Sequence, residues 1–457
     1  MKKKKRTAKP VCVCVVSLGC AKNLVDTEVM CGSLAVNGFA LVGDPEQADI
    51  MLINTCSFIF DARTEAEGEI QEALRWKRAG PNRHVVVAGC LPQRDLGAAR
   101  RKHPGVDRFL GLDDVPQAGE ILAELVRGGK GAELAKLDLP TYLYDDQTPR
   151  LQLTPSAYAY VKIAEGCNHF CRFCAIPHIR GRQRSRTIDS IVAECRQFLG
   201  QGVGELNLIA QDSTRYGEDL ADGTNLAGLL RVLDALPGRF WIRVLYTHPR
   251  FWTDELMAVL ANATHVVPYV DIPLQHIADP VLKAMGRQMG EAETRALMTR
   301  LRERVPGATI RSTFLVGYPG ETDAHFESLR AFVESFRFDR LGVFAFSSEE
   351  GTPAAEIREG LVPSEVAAAR RHTLMLIQQE ISTQNSEALV GGTLTVLCEG
   401  PGEDAGEWLG RTPADGPEID NQVHIRQRNG AGASEGFIRV KIDRAAPYDL
   451  WGRHVHD

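Results

Sequence analysis

GCNHFCRFCAIPHIRGRQRSR occupies residues 166–186. Within it Cys167, Cys171 and Cys174 stand as C-x3-C-x2-C, directly after AYAYVKIA (157–164), an apolar run that reads as a buried strand. Three thiolates this close in one loop can wrap an iron–sulfur cube, which takes soft sulfur ligands. A four-iron cube has four corners, so three cysteines leave one iron open to a small chelator such as an amino acid's amine and carboxylate. Zinc would want a fourth ligand, which His169 or His178 can supply, although zinc knuckles favour C-x2-C pairs. A disulfide framework does not suit a chain of 457 residues with a cytosolic composition, and a chance triplet of core thiols is the bland alternative.

Downstream of this loop lie GELNLIAQ (204–211), FWIRVLY (240–246), VVPYVDIP (266–273), ATIRSTFLVG (308–317) and RLGVFAF (340–346). Helical patterns such as TIDSIVAECRQFLGQG and DAHFESLRAFVESF separate these strand candidates. Six β-α units predict a partial (βα)6 barrel over residues 153–385, short of the usual eight strands. Gln211–Asp212, Thr247–His248, Gln275–His276 and Ser347–Ser348 cluster at strand ends, where a barrel enzyme places its site.

Upstream, residues 10–140 repeat strand, loop and helix. VCVCVVSLG (11–19), DIMLINT (49–55) and HVVVAG (84–89) are each followed at once by a cysteine: Cys20, Cys56 and Cys90. Alternating strands and helices predict a parallel α/β domain, whose ligands sit just beyond the carboxyl ends of the strands. The three cysteines are therefore expected at one sheet edge, as legs of a tripod. Burial as small hydrophobic residues is as good a reading from the residues alone. PTYLYDDQTPRLQLTP reads as a linker, assigned to 141–152. Residues 386–457 show short strand-like runs between Gly, Pro and Asp, the pattern of a small antiparallel β-barrel.

The start, MKKKKRTAKP, is read as a disordered basic tail over 1–9. With Val11 to Leu18 it imitates a short signal peptide or lipoprotein leader. Against that, Pro10 interrupts it, Ser17 stands where a lipobox has leucine, and the segment continues as strand, loop and helix. A cytoplasmic protein with no membrane association is expected, since no run approaches the ~18 apolar residues of a membrane span. Cys12, Cys14, Cys31, Cys195 and Cys398 lie inside strand or helix patterns and read as core thiols.

The pattern C-x3-C-x-Phe-C in a βα barrel resembles the signature of radical S-adenosylmethionine (SAM) enzymes. SLGCAKNLVDTE, NTCSF and GCLPQR, with the 166–186 segment, are similar to the methylthiotransferases along essentially the whole chain. The resemblance implies an N-terminal domain with a [4Fe-4S] cluster on Cys20, Cys56 and Cys90, a radical barrel and a C-terminal TRAM β-barrel. A second [4Fe-4S] cluster on Cys167, Cys171 and Cys174 would chelate SAM and cleave it to a 5′-deoxyadenosyl radical. SAM then serves twice, as methyl donor and radical source. Phe173 matches the aromatic position that lies near the adenine. VDIPLQH (270–276) and GYPGE (317–321) match segments lining the cofactor face, making Gln275, His276 and Arg311 candidate SAM contacts. No catalytic residue beyond the cluster ligands is implied, because a radical removes hydrogen without a base.

Two branches of that family make the same C–S bond on substrates of opposite charge. One modifies an adenosine of transfer RNA; the other modifies the β-carbon of an aspartate in ribosomal protein S12. The chain has a formal net charge of −6, and residues 386–457 hold twelve acidic against seven basic residues. A tRNA reader needs Lys and Arg for phosphates, whereas an acidic surface complements a basic ribosomal protein. SLGCAKNLVDTE and YDLWGR (448–453) also match the wording of the S12 branch. Arg180, Arg182, Arg184 and Arg186 are read as a solvated loop beside an anionic cluster and cofactor. Expected partners are S12, free or in the small subunit, and a reductant such as flavodoxin or ferredoxin, with nucleic acid not a direct substrate. The alternatives are a tRNA methylthiotransferase and, in another class, a non-catalytic iron–sulfur electron carrier.

Overall fold

The computed structural model describes residues 9–129, 136–404, 406–426 and 436–455; apart from Lys9, the expected basic tail lies outside them. The chain forms two compact units, one of residues 1–153 with 165–168 and 174–183, the other of 154–164, 169–173 and 184–457.

In the first unit β1 (Cys12–Ser17), β2 (Ala40–Val42), β3 (Ile50–Thr55), β4 (His84–Gly89) and β5 (Arg108–Leu110) make one parallel sheet in the order β2-β1-β3-β4-β5. The helices are α1 (Ala21–Val36), α2 (Phe60–Arg78), α3 (Cys90–Arg94), α4 (Leu96–Lys102) and α5 (Ala118–Val126). Every residue of β3 is buried, which is why its sequence is a continuous rather than an alternating apolar run. Register sets Ser17 opposite Asn54 and Thr55 opposite Gly89, so the three central strands stop level. The loops after them leave from one edge and carry Cys20, Cys56 and Cys90 there. Two glycines allow the close approach. At Gly19 (φ +93°) an added Cβ would stand 2.6 Å from Cys56 Cβ, and at Gly89 (φ +92°) one would stand 2.2 Å from Asn54 Oδ1.

The second unit begins with β6 (Tyr158–Lys162). The cysteine segment between β7 (Ala164–Glu165) and β8 (Arg184–Ser185) includes the short α6 (Ile176–Arg180). Then follow α7 (Ile188–Gly200), β9 (Glu205–Ile209), α8 (Leu226–Asp234), β10 (Trp241–Val244), α9 (Asp254–Asn262), β11 (Tyr269–Asp271), α10 (Asp279–Ala284) and α11 (Glu291–Arg304). β12 (Thr309–Val316), α12 (Asp323–Phe336) and β13 (Arg340–Ala345) complete the barrel. The sheets β10-β9-β6 and β11-β12-β13 are joined by backbone bonds from Ile242 N to His265 O (2.8 Å) and from Val267 N to Ile242 O (3.0 Å). Six parallel strands thus run side by side as the expected partial barrel. Thr187, Asn225, Thr253 and Thr322 start α7, α8, α9 and α12 by accepting a first-turn backbone N–H, which fixes where each helix leaves its loop.

After α13 (Ser364–Glu387), strands β14 (Thr393–Pro401), β15 (Glu407–Arg411), β16 (Gln422–Arg426), β17 (Gly436–Ala445) and β18 (Asp449–Val455) close a barrel in the order β14-β15-β16-β18-β17. It is not wholly antiparallel, because β16 and β18 run parallel. An odd ring of strands cannot alternate direction all the way round, so one parallel pair is unavoidable.

Arg411 and the loop after it meet the amino-terminal ends of the six barrel strands. Glu205, fully enclosed, takes Arg243 Nε at 2.7 Å and Arg411 Nη2 at 2.5 Å. Tyr269 Oη donates to Asp420 (2.5 Å), Arg340 to Asp415 (2.5 Å) and Tyr158 Oη to Glu418 (2.9 Å). Burial works against the Glu205 carboxylate, yet the two arginines outweigh it and hold its pKa below the ordinary value. This corrects the charge argument. Asp415, Asp420 and Glu418, with Glu399 beside Arg411, answer barrel groups or Arg411 itself. Glu418 is exposed and meets only a neutral hydroxyl, so setting aside Asp415, Asp420, Glu399 and Arg411 leaves nine acidic and six basic residues in 386–457, a smaller acidic excess for a partner to feel.

Candidate functional site

The first trio is built by strand ends and braced by one amide. Asn23, two residues into α1 and fully enclosed, donates from Nδ2 to Leu18 O (3.1 Å) and Thr55 O (3.0 Å), tying the ends of β1 and β3 together. Its Oδ1 accepts from Arg180 Nη2 at 2.5 Å and lies 3.5 Å from Cys90 Sγ. Asn54 reaches back to Asn23 O at 2.8 Å. One side chain therefore touches all three cysteine-bearing loops.

Arg180 is 2% exposed and fans across the same place. Nη1 donates to Glu165 Oε2 (2.9 Å), while Nη2 donates to Asp26 Oδ2 (2.9 Å), Asn23 Oδ1 and Cys90 Sγ (3.4 Å). Cys90 also packs on Ala175 and Ile179, from the segment just after Cys174. The expectation of a solvated arginine run fails at two of its four positions. Arg180 is enclosed, and so is Arg186, which bonds Glu194 (2.5 Å) and Lys162 O (3.1 Å); Arg182 is exposed and Arg184 half-buried.

Electrostatics divide the trio. Burial pushes the Cys90 thiol up to about 12, against the pull of Arg180, and burial also raises Cys56. At Cys20 burial again opposes ionisation, but Lys22 and Arg180 outweigh it and hold the thiol below its usual range. Cys20 keeps one side open to solvent, although protein crowds the others. The donor set suits a thiolate-held metal group. Three sulfurs share one edge, and the enclosed hydroxyl of Ser57, next to Cys56, has no hydrogen-bond partner among the described residues. Cys12, Cys14, Cys31, Cys195 and Cys398 are all buried elsewhere, as core thiols should be.

The second trio lies on the loop after β7, each cysteine half-buried. Cys167 N donates to Gly181 O (3.0 Å), and Arg287 Nη1 points at Cys171 Sγ (3.7 Å) while its Nη2 holds Pro273 O (2.9 Å). Phe170 is 88% exposed, whereas Phe173 packs against Ala278, Val281, Met285 and Tyr318. Gln275 carries a left-handed backbone (φ +72°), as does Tyr246 (φ +61°), so two strand ends hold a conformation that side chains rarely adopt. His276 is fully enclosed, its Nδ1 accepting from Ala278 N and its Nε2 3.7 Å from Glu321 Oε1. Arg311 sits five residues before the carboxyl end of β12, engaged by Asp271 (2.9 Å) and Asp420 (3.5 Å). Arg311 thus spans from Asp271, the last residue of β11, which also accepts from Tyr246 N (2.8 Å), to Asp420 of the C-terminal domain's loop.

Sequence reasoning missed Asn23 and the enclosure of Arg180, and it set Asp212 and His248 at strand ends without bringing His169 to them. His169 Nε2 bonds Asp212 Oδ2 at 2.5 Å, and its ring stacks on His248 at 4.2 Å. Ligand atoms of the three lie within 4.8 Å of one another, close enough for a metal ion. Burial holds His248 well below the usual histidine range, aided by the charges of Arg287, His169, Arg215 and Arg250. Asp212 on His169 and Glu218 on Arg215 set carboxylates among these cations.

Comparison with known proteins bears on this arrangement. Residues 12–111 match the model of Uncharacterized protein family UPF0004, residues 161–333 that of the Radical SAM superfamily and residues 390–455 that of the TRAM domain. The ribosomal protein uS12 methylthiotransferase RimO of Geotalea uraniireducens is 44% identical over 97% of this chain and 98% of its own length. The proteins of that name from Heliobacterium modesticaldum (43%; 97% and 95%) and Geobacter sulfurreducens (42%; 97% and 98%) are similar to the same extent. Among solved structures, the radical SAM methyltransferase TsrM from Kitasatospora setae, with cobalamin and a [4Fe-4S] cluster bound, superposes with a TM-score of 0.55 at 16% identity. That match covers 80% of this chain and 85% of TsrM, and it speaks to the fold alone.

Proposed function

We propose, starting from the fact that this chain belongs to the RimO family of ribosomal protein uS12 methylthiotransferases, that it joins a methylthio group to the β-carbon of an aspartate of S12. In this reading Cys167, Cys171 and Cys174 hold one [4Fe-4S] cluster, and Cys20, Cys56 and Cys90 hold another. When bound, the clusters supply reductive cleavage of SAM and a place for sulfur to be activated. The observation that carries the reading is the gathering of Cys20, Cys56 and Cys90 at one sheet edge, with three thiols, no fourth cysteine and an open side at Cys20. Asn23 keeps the three loops in register. Phe173 and Gln275 flank the place for SAM, with His276 behind them. Arg250 and Arg287, whose charges reach His248, suit the carboxylate of an aspartate.

Near full-length likeness to uS12 enzymes supports a protein substrate, and does so more strongly than the C-terminal charge. A small electron carrier such as flavodoxin or ferredoxin delivers electrons, in the cytoplasm. No described helix is long and apolar enough to cross a membrane. Anaerobically reconstituted enzyme should place one SCH3 in place of hydrogen on an aspartate of purified S12 with no RNA present, read by mass spectrometry. Modification of tRNA alone would transfer the chain to the other branch, and absence of 5′-deoxyadenosine would make it an electron carrier.

A further inference from the structure

We infer that Arg180 is a positioning residue of the N-terminal cluster: its guanidinium donates to the sulfur of Cys90 and raises the reduction potential of the metal group held by Cys20, Cys56 and Cys90. The inference rests on the reading of that trio as cluster ligands. Enclosing a guanidinium is costly unless its donors are used, and Arg180 uses them on Glu165, Asp26, Asn23 and Cys90. Nη2 has two hydrogens and three acceptors in reach, Asn23 Oδ1 (2.5 Å), Asp26 Oδ2 (2.9 Å) and Cys90 Sγ (3.4 Å), so the sulfur shares in its donation and lies directly beside the charge.

Ligation sharpens the geometry. As a thiol, Cys90 can donate to Asn23 Oδ1 across their 3.5 Å. As a metal-bound thiolate it has no proton, and two acceptors would face each other. Arg180 Nη2 already donates to both, and so removes the conflict. Hydrogen bonds to cluster sulfurs, and positive charge beside them, favour the reduced form and raise the potential. Arg180 also follows Cys174 by only six residues, so the loop of the SAM-binding trio supplies the residue that tunes the other trio.

The test uses the full chain carrying Cys171→Ala and Cys174→Ala, which leaves the N-terminal trio as the iron site, reconstituted without oxygen. Arg180→Lys keeps a charge for Asp26 and Glu165 but loses the arm that reaches the sulfur; Arg180→Gln removes the charge as well. EPR-monitored redox titration should give a more negative midpoint for Arg180→Lys and a further fall for Arg180→Gln. Resonance Raman should shift the Fe–S(Cys) stretches in both. Loss of iron from Arg180→Gln alone, with a lowered midpoint in Arg180→Lys, upholds the inference too. Wild-type iron with an unmoved midpoint in Arg180→Lys overturns it and reduces Arg180 to a counter-ion. A Cys171→Ala/Cys174→Ala chain that takes up no iron overturns the trio reading itself, and the inference with it.

Discussion

Replacing Asn23 by leucine keeps the side chain's size and removes its polarity, so it isolates what the amide does. Two donated bonds disappear, to Leu18 O and Thr55 O, and Arg180 loses one acceptor. At about 1 kcal/mol for each lost bond, in a site with no exposed surface, the brace is worth about 3 kcal/mol. Only the first unit should feel it, so the suitable assay is native-state hydrogen exchange read by mass spectrometry on peptides from β1 and β3. Their slowest amides should exchange about a hundredfold faster in Asn23→Leu, since 1.4 kcal/mol is about tenfold. Peptides from β12 and β13 should not change. After anaerobic reconstitution the variant should also lose iron from the first trio. Exchange within about threefold of wild type, with iron content intact, would refute the view that one amide holds the three loops.

Substituting Cys20, Cys56 or Cys90 by alanine should abolish methylthiolated product while 5′-deoxyadenosine still forms, whereas Cys171→Ala should abolish both, as chromatography of the reaction would show. In the iron-free protein at neutral pH, iodoacetamide should label Cys20 well ahead of Cys90 and Cys31, by peptide mass spectrometry. Cys20 is open to solvent with a lowered pKa, while burial pushes each of the other two up to about 12. Glu205→Gln should destabilise the second unit by about 3–5 kcal/mol in urea, because Arg243 and Arg411 would keep buried charges without a full counter-charge. The folded pKa of Glu205 lies below its ordinary 4.5, so its contribution is complete above that value and fades as pH falls through the depressed one. Acid unfolding of Glu205→Gln should accordingly have a shallower slope below pH 4.5 than that of the wild type.

The tripod was legible because parallel strands impose it. Once VCVCVVSLG, DIMLINT and HVVVAG are neighbours in one sheet, their carboxyl ends share an edge whatever the loops do. The six-strand barrel followed from the same alternation of strand and helix. Asn23 and Arg180 were not legible as site residues, since a buried amide and a buried guanidinium look in sequence like a helix polar position and a basic run. Only the folded chain shows Arg180 2% exposed between Asp26, Glu165 and Cys90. The acidic tally of the last domain pointed to the right branch but overstated the free charge: charge counted along a chain does not say which carboxylates, such as Asp415 and Asp420, face inward. The pairing of Arg311 with Asp271 and Asp420, the latter more than a hundred residues away, is likewise invisible in sequence.

Iron and acid-labile sulfide per chain, measured after anaerobic purification and reconstitution, test most directly whether two trios of thiolates each hold a cluster. Two trios predict about eight irons, falling to about four in Cys20→Ala/Cys56→Ala/Cys90→Ala and equally in Cys167→Ala/Cys171→Ala/Cys174→Ala. About four irons in the unaltered chain, unchanged by removing Cys20, Cys56 and Cys90, would contradict the account.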